Sequence, residues 1–520
     1  MNPFKYFKGS GQNPITPPPP KVDLRRNLDE NLADMRRVLG DTNDLMIREL
    51  ELKGVGGIQA ALIGIDGLID SFTAQTLIAH VMAVDLSIIT EDQMEKDYQK
   101  AFDLLFKSRI SMMDASQSDD FNVLYANLLN GHVIVLMDQV VSGMIFDCKG
   151  WQMRSISEPN VEKSLRGPKD SFVETIRINT ATLRRRIRDP RLRFDAYQVG
   201  RITKTDVFVA YIEGLTNPRY IQLAKERLEN FDVDGIVGVT QLLRVLEDAH
   251  HTIFPRLIET ERPDRAASAL MEGQIAVLVD GNPFVILGPF FFTGSFSSVD
   301  DYYNEPLFAT LKRIMRYAAF FFVILGPGLY IAVATFHQEM IPLSLLIIFI
   351  NQRSALPFST FVEMCLVFVI FEIIREASLR KPTAVGDAMT MVGSLIIGQA
   401  IVEVGLVSYV AIIIGAVTTL ASYLLSTTRI NTSTRILTFL FMFTGSWLGF
   451  YGITLGFIML VLHLCSLTSF EEPYMAPLAP FNLRDQKDQV ARMPFSWMKY
   501  RPKIFKTKNV VRSELPIGKE

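Results

Sequence analysis

The chain has 520 residues, 49% of them hydrophobic, and its 53 Lys and Arg nearly cancel its 55 Asp and Glu, for a formal net charge of −2. That balance hides a charged front, an apolar middle and a basic tail: only twelve charged residues lie between Tyr317 and Thr468, which marks a membrane domain. Three cysteines, Cys148, Cys365 and Cys465, are too few and too scattered for a disulfide framework or a zinc site, and the first residues lack the apolar core of a secretory signal, so the front half is expected in a reducing cytosol.

Pro17 to Pro20 close an extended, polyproline-like leader. In NLDENLADMRRVLG, Leu28, Leu32, Met35 and Leu39 recur at three- and four-residue steps, which predicts a helix stopped by Gly40. QAALIGIDGLID predicts a strand and an Asp66-Gly67 turn, and residues 132–151 a two-stranded hairpin. A helix closed by Pro190 then precedes the strand TDVFVAYIEG, the helix NPRYIQLAKERLENF, another helix around 239–249, and a hairpin turning at Asp280-Gly281. Helix alternates with strand throughout, so the fold class is an α/β cytosolic region of two subdomains plus an α-helical polytopic membrane domain with broken helices. No sequence repeat is visible, although the two α/β units are similar enough in size to be distant duplicates.

The expected organisation is 1–43 leader and first helix, 44–158 first α/β subdomain, 159–288 second α/β subdomain, 289–316 interfacial amphipathic segment, 317–468 transmembrane domain and 469–520 basic cytosolic tail. The interfacial assignment rests on Tyr302, Tyr303, Lys312, Arg313 and Arg316 just ahead of an apolar run, a mixture that suits the headgroup layer. Apolar runs at 317–336, 342–351 with 359–374, 388–402, 406–425, 435–450 and 452–468 give six nominal passes. Several fall short of the ~20 residues of a full span, so broken helices are expected. Counting 342–374 as one interrupted pass leaves Arg375, Arg380, Lys381, Arg429, Arg435 and the basic tail on the side of the soluble half, with both termini cytosolic, as the positive-inside rule requires.

No P-loop, dinucleotide fingerprint, HExxH, nucleophile elbow or CxxC is present, so no enzyme, cofactor or metal site is expected. His250 and His251 are adjacent on a helix, point about 100° apart, and read as a polar helix end. The run Arg184, Arg185, Arg186, Arg188, Arg191, Arg193 lacks interleaved aromatics and reads as a solvated face, an inter-subunit contact or an anionic-lipid contact, not a nucleic-acid site.

The intramembrane carboxylates carry more information, because a charge at helix-centre depth costs on the order of 2.5–3.5 kcal/mol on insertion scales. In LIIGQAIVEVGLVS, Gln399 and Glu403 share a face, and Gly398 and Gly405 beside them offer room for close helix approach. Glu403 is expected near the far mouth of a short pass, as a ring of charge at a channel entrance or an anchor between subunits. Glu363 and Glu403 read either as parts of an ion pathway or as buried groups paired with Arg353. Glu372, Arg375, Glu376 and Arg380 read as a charge cluster on the cytosolic side.

The blocks GPKDSFVETIRINTATLRRRIRDPRLRF, VGRITKTDVFVAYIEGLTNP, DVDGI, ERPDRAASALMEGQIAVLVDGNPFVILGP, DDYY, FEIIREASLRKP and SLIIGQAIVEVGLVS, in order from about residue 28 to 468, resemble the A subunit of the GerA-type spore germinant receptors. The resemblance implies a multi-pass protein of the spore inner membrane, partnered by a transporter-like B subunit and a lipoprotein C subunit. It also implies a homo-oligomer, a pentamer by family analogy, that conducts monovalent cations when nutrient arrives. The chain departs from the family where REAG reads Arg375-Glu376-Ala377-Ser378, where FFFTGSFSSV replaces a stretch that commonly holds Trp, and where Ser354 and Ala355 replace Glu-Gly. A sibling reading is the stage V sporulation protein AF, an ion channel amplifying germination without sensing nutrient; LGDTNDLMIREL is closer to the receptor subunits. A non-conducting membrane scaffold and a secondary transporter are the remaining readings, the latter lowered by the lack of an inverted repeat.

Overall fold

The computed structural model describes residues 21–512 apart from 41, 53–57, 84–93, 109–114, 151–158, 160, 165, 249–251, 354–355, 380–397 and 495–496. The leader, His250, His251, Arg380, Lys381 and the apolar run 388–397 therefore lie outside the described residues. The chain divides into two units, one of residues up to 163, 168–245 and 259–287, the other of 164–167, 246–258 and 288 onward.

The first unit begins with α1 (Leu28–Leu39), for which the Asn27 side chain accepts from Asp29 N and Glu30 N and Gly40 N closes back on Arg36 O. Its stripe of Leu28, Leu32, Met35 and Leu39 is buried. The strands β1 (Leu45–Leu52), β2 (Ile58–Ile65), β3 (Ala115–Ser118), β4 (Val133–Met137) and β5 (Gly143–Phe146) form one sheet in the order β1-β2-β4-β5-β3. One face carries α2 (Ser71–Ala83) and α3 (Met94–Ser108) against Leu52, Leu62, Val133 and Val135; the other carries α1 and α4 (Phe121–Leu128) against Ala61, Ile63, Ile134 and Leu136. A sheet covered on both faces explains why β2 and β4 read as continuous apolar runs.

The second half of this unit repeats that plan. α5 (Ile176–Arg186), β6 (Leu192–Val199), β7 (Thr205–Ile212), α6 (Pro218–Glu229), α7 (Val239–Leu246), β8 (Ile258–Thr260), α8 (Pro263–Met271), β9 (Ile275–Val279) and β10 (Val285–Gly288) give a sheet ordered β6-β7-β9-β10-β8, the same permutation. The details recur as well. Asn31 ties Arg25 N (2.9 Å) and Arg25 O (2.6 Å) on α1, and Asn179 ties Val173 N (2.9 Å) and Val173 O (2.6 Å) on α5. Asp138 in the β4–β5 turn accepts from Leu28 N at 3.1 Å, and Asp280 in the β9–β10 turn accepts from Ile176 N at 3.1 Å. The two subdomains are structural duplicates that have kept their buried capping groups while their surfaces diverged.

Inside the unit they are joined by a buried bidentate pair, Arg184 Nε to Asp44 Oδ2 at 2.7 Å and Nη2 to Oδ1 at 3.0 Å, with Phe194 stacked 5.2 Å from the guanidinium. Most of the rest of the arginine run also has carboxylate neighbours: Arg185 and Arg186 face Asp170, Arg191 faces Asp189, and Arg193 faces Glu213, while Arg188 is exposed. The expectation of a basic solvated, lipid-facing or inter-subunit surface is thus corrected for Arg184, Arg186 and Arg193, which are turned onto carboxylates of this unit, whereas Arg188 and Arg191 remain exposed.

The second unit is helical: α9 (Pro306–Thr335), α10 (Leu343–Arg353), α11 (Thr360–Leu379), helical residues 398–403, α12 (Tyr409–Ser422) and α13 (Thr428–Ser466). Among the described residues, two helices are long and apolar enough to cross a membrane, α9 and residues 429–466. α11 has 20 residues but carries Glu363, Glu372, Arg375 and Glu376. α10 is 11 residues long, too short for a span.

α13 is two helices, not one. Gly449 sits at φ 61°, ψ −140° within it, a conformation open to glycine. A Cβ placed on Gly456 would lie 3.2 Å from the Phe441 ring, and one on Gly445 3.3 Å from Ile453. In a straight helix residues 441 and 456 would stand about 22 Å apart at ~1.5 Å per residue, so the chain folds back at Gly449 into an antiparallel helical hairpin with arms of about 31 and 25 Å. The open end of the hairpin is held by the segment 246–258. Arg429 pairs with Glu247 at 2.8 Å, Thr468 donates to Asp248 at 2.7 Å, Ser469 donates to Arg256 O at 2.6 Å, and Thr252 bonds His463 at 3.0 Å.

α9 runs parallel to the first arm: Thr438 donates to Val323 O at 2.9 Å, Gly328 meets Phe441 O, and Phe336 and His337 reach Gly449. α11 runs the opposite way, with Phe361 beside Phe443, Phe368 beside Phe439 and Glu372 beside Arg435. α12 follows α11, Ser408 lying against Glu363 and Gly415 against Val367 and Phe371.

Candidate functional site

Polar side chains gather at two levels of the helical unit, and the local sequence explains each. At the end where α9 starts, the 3-10 turns Phe292–Phe296 and Val299–Tyr302 lead into the helix, and Ser298 and Asp301 cap the second turn reciprocally. Asp301 is fully buried and accepts from Arg313 Nε at 3.1 Å and from Arg316 at 2.8 and 2.9 Å. Asp488 of the tail adds a second carboxylate to Arg313 at 3.4 Å, and Arg492 packs on the Tyr302 ring at 4.4 Å. Burial pushes the Asp301 carboxyl up, but the hydrogen bond and charge of Arg316, with help from Ser298 N and Arg313, outweigh it and hold the group below the usual carboxylate range.

Arg313 and Arg316 are therefore turned inward, whereas Leu307, Phe308, Leu311 and Met315 are the exposed face of the same turns. An interfacial segment whose arginines meet headgroups is corrected on this point: the apolar stripe is outward and the arginines belong to an internal ion-pair cluster. The tail segment that supplies Asp488 is itself ordered, Asp485 accepting from Lys503 N at 3.1 Å and Ile504 N at 3.2 Å.

At the other level, Glu363 is 1% exposed on α11. Its Oε1 accepts from Ser408 N at 2.5 Å, just before the start of α12, where unpaired N–H groups and the helix dipole favour a negative partner. Ser408 in turn caps α12 through Ala411 N at 3.2 Å and lies 3.4 Å from Tyr330 Oη. Ile331, Met364, Val367, Val407, Ala411 and Met442 make the surroundings apolar. The structure does not bring Arg353 to Glu363. Arg353 donates to Ala334 O at 3.1 Å and sits over the Phe349 ring.

Gln399 and Glu403 are both exposed, and among the described residues neither has a hydrogen-bond partner. Gly398 and Gly405 are not helix contacts, since a Cβ on either would meet nothing within 4 Å. Gly405 instead turns the chain at φ 73° ahead of Ser408. The glycines that allow close approach are Gly328, whose Cβ would lie 2.6 Å from Phe441 O, and Gly445, 2.7 Å from Gly328 O. Arg375 and Arg435 both reach Glu372. Glu376 is exposed on the same helix, and Arg380 lies outside the described residues.

Sequence reasoning singled out Glu363 but missed Ser408, Tyr330 and Asp301. Asp301 was legible only as one member of an acidic doublet, and Ser408 only as a cap residue ahead of an apolar run. Among the described residues no group of three or more His, Cys, Asp or Glu converges as a metal centre.

The family model described as Bacillus/Clostridium GerA spore germination protein matches residues 33–504. Spore germination protein KA of Bacillus subtilis (strain 168) is 37% identical over 491 residues, covering 94% of this chain and 89% of the relative. The uncharacterized membrane protein YfkQ of the same organism is 33% identical over 506 residues, covering 97% and 95%. The crystal structure of the N-terminal domain of the A subunit of the Bacillus megaterium spore germinant receptor GerK3 is 30% identical and covers 52% of this chain and 98% of that one, with a TM-score of 0.40. A family match over nearly the whole chain, together with full-length relatives above the 30% level, means that this protein belongs to the GerA spore germination family.

Proposed function

We propose that this chain is the A subunit of a nutrient-responsive germinant receptor whose helical unit oligomerises in the spore inner membrane around a path for monovalent cations. The passes are α9, α11 with α10 as its broken half, the segment ending at 403, α12 and the two arms of α13; both termini are cytosolic. A transporter-like B subunit and a lipoprotein C subunit complete the receptor, and the duplicated α/β unit stays in the cytosol as the part that other subunits engage.

The observation that carries this reading is the exposure of Glu403 and Gln399 within an apolar run of the helical unit. In a bilayer an exposed carboxylate needs water or a neighbouring chain, and a ring of copies around an aqueous path supplies both. The test is potassium release by spores carrying Glu403→Ala or Glu363→Ala at normal protein level. Release slowed at least severalfold is expected; wild-type kinetics in both would refute the path and leave the scaffold reading.

A further inference from the structure

Thr360 and Glu363 stand three residues apart on one face of α11, both essentially inaccessible at 0% and 1% exposure. Glu363 uses one carboxylate oxygen, on Ser408 N; its Oε2 has no hydrogen-bond partner, and neither has Thr360 Oγ1. Ser408, whose N–H the carboxylate holds, has its hydroxyl 3.4 Å from that of Tyr330 on α9. A buried carboxylate with a free oxygen in apolar surroundings is costly unless a counter-charge sits on it. No basic side chain among the described residues supplies one, Arg353 being committed to Ala334 O.

The donor set decides the chemistry. One carboxylate oxygen and neutral hydroxyls are hard ligands that suit alkali and alkaline-earth ions and not zinc or copper. A single negative charge is cancelled by a monovalent ion, whereas a divalent ion would leave one positive charge uncompensated at low dielectric.

We propose that Thr360, Glu363, Ser408 and Tyr330 form a binding site for one partly dehydrated monovalent cation, which ties α9, α11 and α12 together. The site rests on the reading above only for the bilayer around it; it holds an ion whether or not ions flow.

The full chain, purified in detergent, is titrated with sodium, potassium or rubidium chloride against choline chloride at constant ionic strength. Radiolabelled sodium and rubidium binding and the apparent Tm are followed. Saturable binding of one ion per chain is expected, with a Tm that rises with the alkali cation and not with choline. Glu363→Gln should abolish both responses, and Thr360→Val should weaken the affinity about tenfold. If Glu363→Gln does not fold, Thr360→Val and Ser408→Ala carry the test.

Binding unchanged in these variants, or a Tm insensitive to alkali ions in the wild type, overturns the site. Because binding is read without flux, its failure leaves the conduction reading standing, and normal potassium release from both Glu403→Ala and Glu363→Ala spores would sink conduction while the binding result stands.

Discussion

Replacing Asp301 by Asn keeps the shape of the side chain and removes the charge that two buried arginines share. Arg313 is 0% exposed and Arg316 nearly as buried; without the Asp301 charge Arg313 would keep only Asp488 as a carboxylate partner, and Arg316 would keep the Phe296 carbonyl. Breaking a buried pair by removing one partner costs about 3–5 kcal/mol, most of it the uncompensated charge that remains. The matched control is Glu372→Gln. Glu372 is 52% exposed, so its pair with Arg375 is screened by solvent and should contribute no more than ~1 kcal/mol.

Thermal inactivation of the full chain in detergent reads both variants as half-lives at one temperature, a measure that holds where unfolding is irreversible. Asp301→Asn should be inactivated far sooner than wild type, and Glu372→Gln should be indistinguishable from it. The pH dependence follows in sign. A carboxyl held below its ordinary value in the folded state contributes stability that is present above about pH 4 and lost as pH falls through the lowered folded value. The acid limb of the wild-type stability profile should therefore flatten in Asp301→Asn. Equal half-lives for the two variants, or an unchanged acid limb, would refute the ranking by burial.

Three further outcomes are expected. Arg184→Met should destabilise the first unit by about 3–5 kcal/mol by stranding Asp44, and adding Asp44→Leu should recover most of the loss, which urea unfolding of the variants can check. Gly328→Leu forces a side chain to within 2.6 Å of Phe441 O, so α9 and the first arm of α13 must part; a cost of about 1–3 kcal/mol and a weakened disulfide cross-link between cysteines placed at 323 and 438 are the readouts. Cys148 is buried, and burial first, then the charges of Asp147 and Asp70, push its thiol up to about 12. It should resist maleimide at pH 8 until the protein unfolds, while exposed Cys465 is modified in the native state.

Much of the first unit could be read directly because its elements carry their own signals. The α1 stripe, the Asp280-Gly281 turn and the apolar runs of β4 and β9 are patterns of period 3.6, of turn chemistry and of two-sided burial. The edge strands β1 and β6 escaped notice, since Arg48, Glu49 and Glu51 in one and Arg193, Asp195 and Gln198 in the other obscure the alternation. The duplication was also hidden: Asn31 and Asn179, or Asp138 and Asp280, are ordinary polar residues until the hydrogen bonds show them in equivalent places. In the helical unit, Glu363 stood out because a carboxylate in an apolar run is conspicuous, but its partner Ser408 lies 45 residues on, beyond any local rule.

The sequence by itself determined the family, the split into a charged front and an apolar middle, and the identity of the carboxylates that hydrocarbon makes expensive. Those follow from composition and local periodicity, which act within a few residues of chain. Only the tertiary structure decided that Arg184, Arg186 and Arg193 are neutralised internally, that Gly449 folds one apolar stretch into two arms, that Arg353 passes Glu363 by, and that Glu363 caps α12 with one oxygen to spare. These outcomes depend on which distant groups become neighbours, and burial gives the same side chain a different energy according to the partner it finds there.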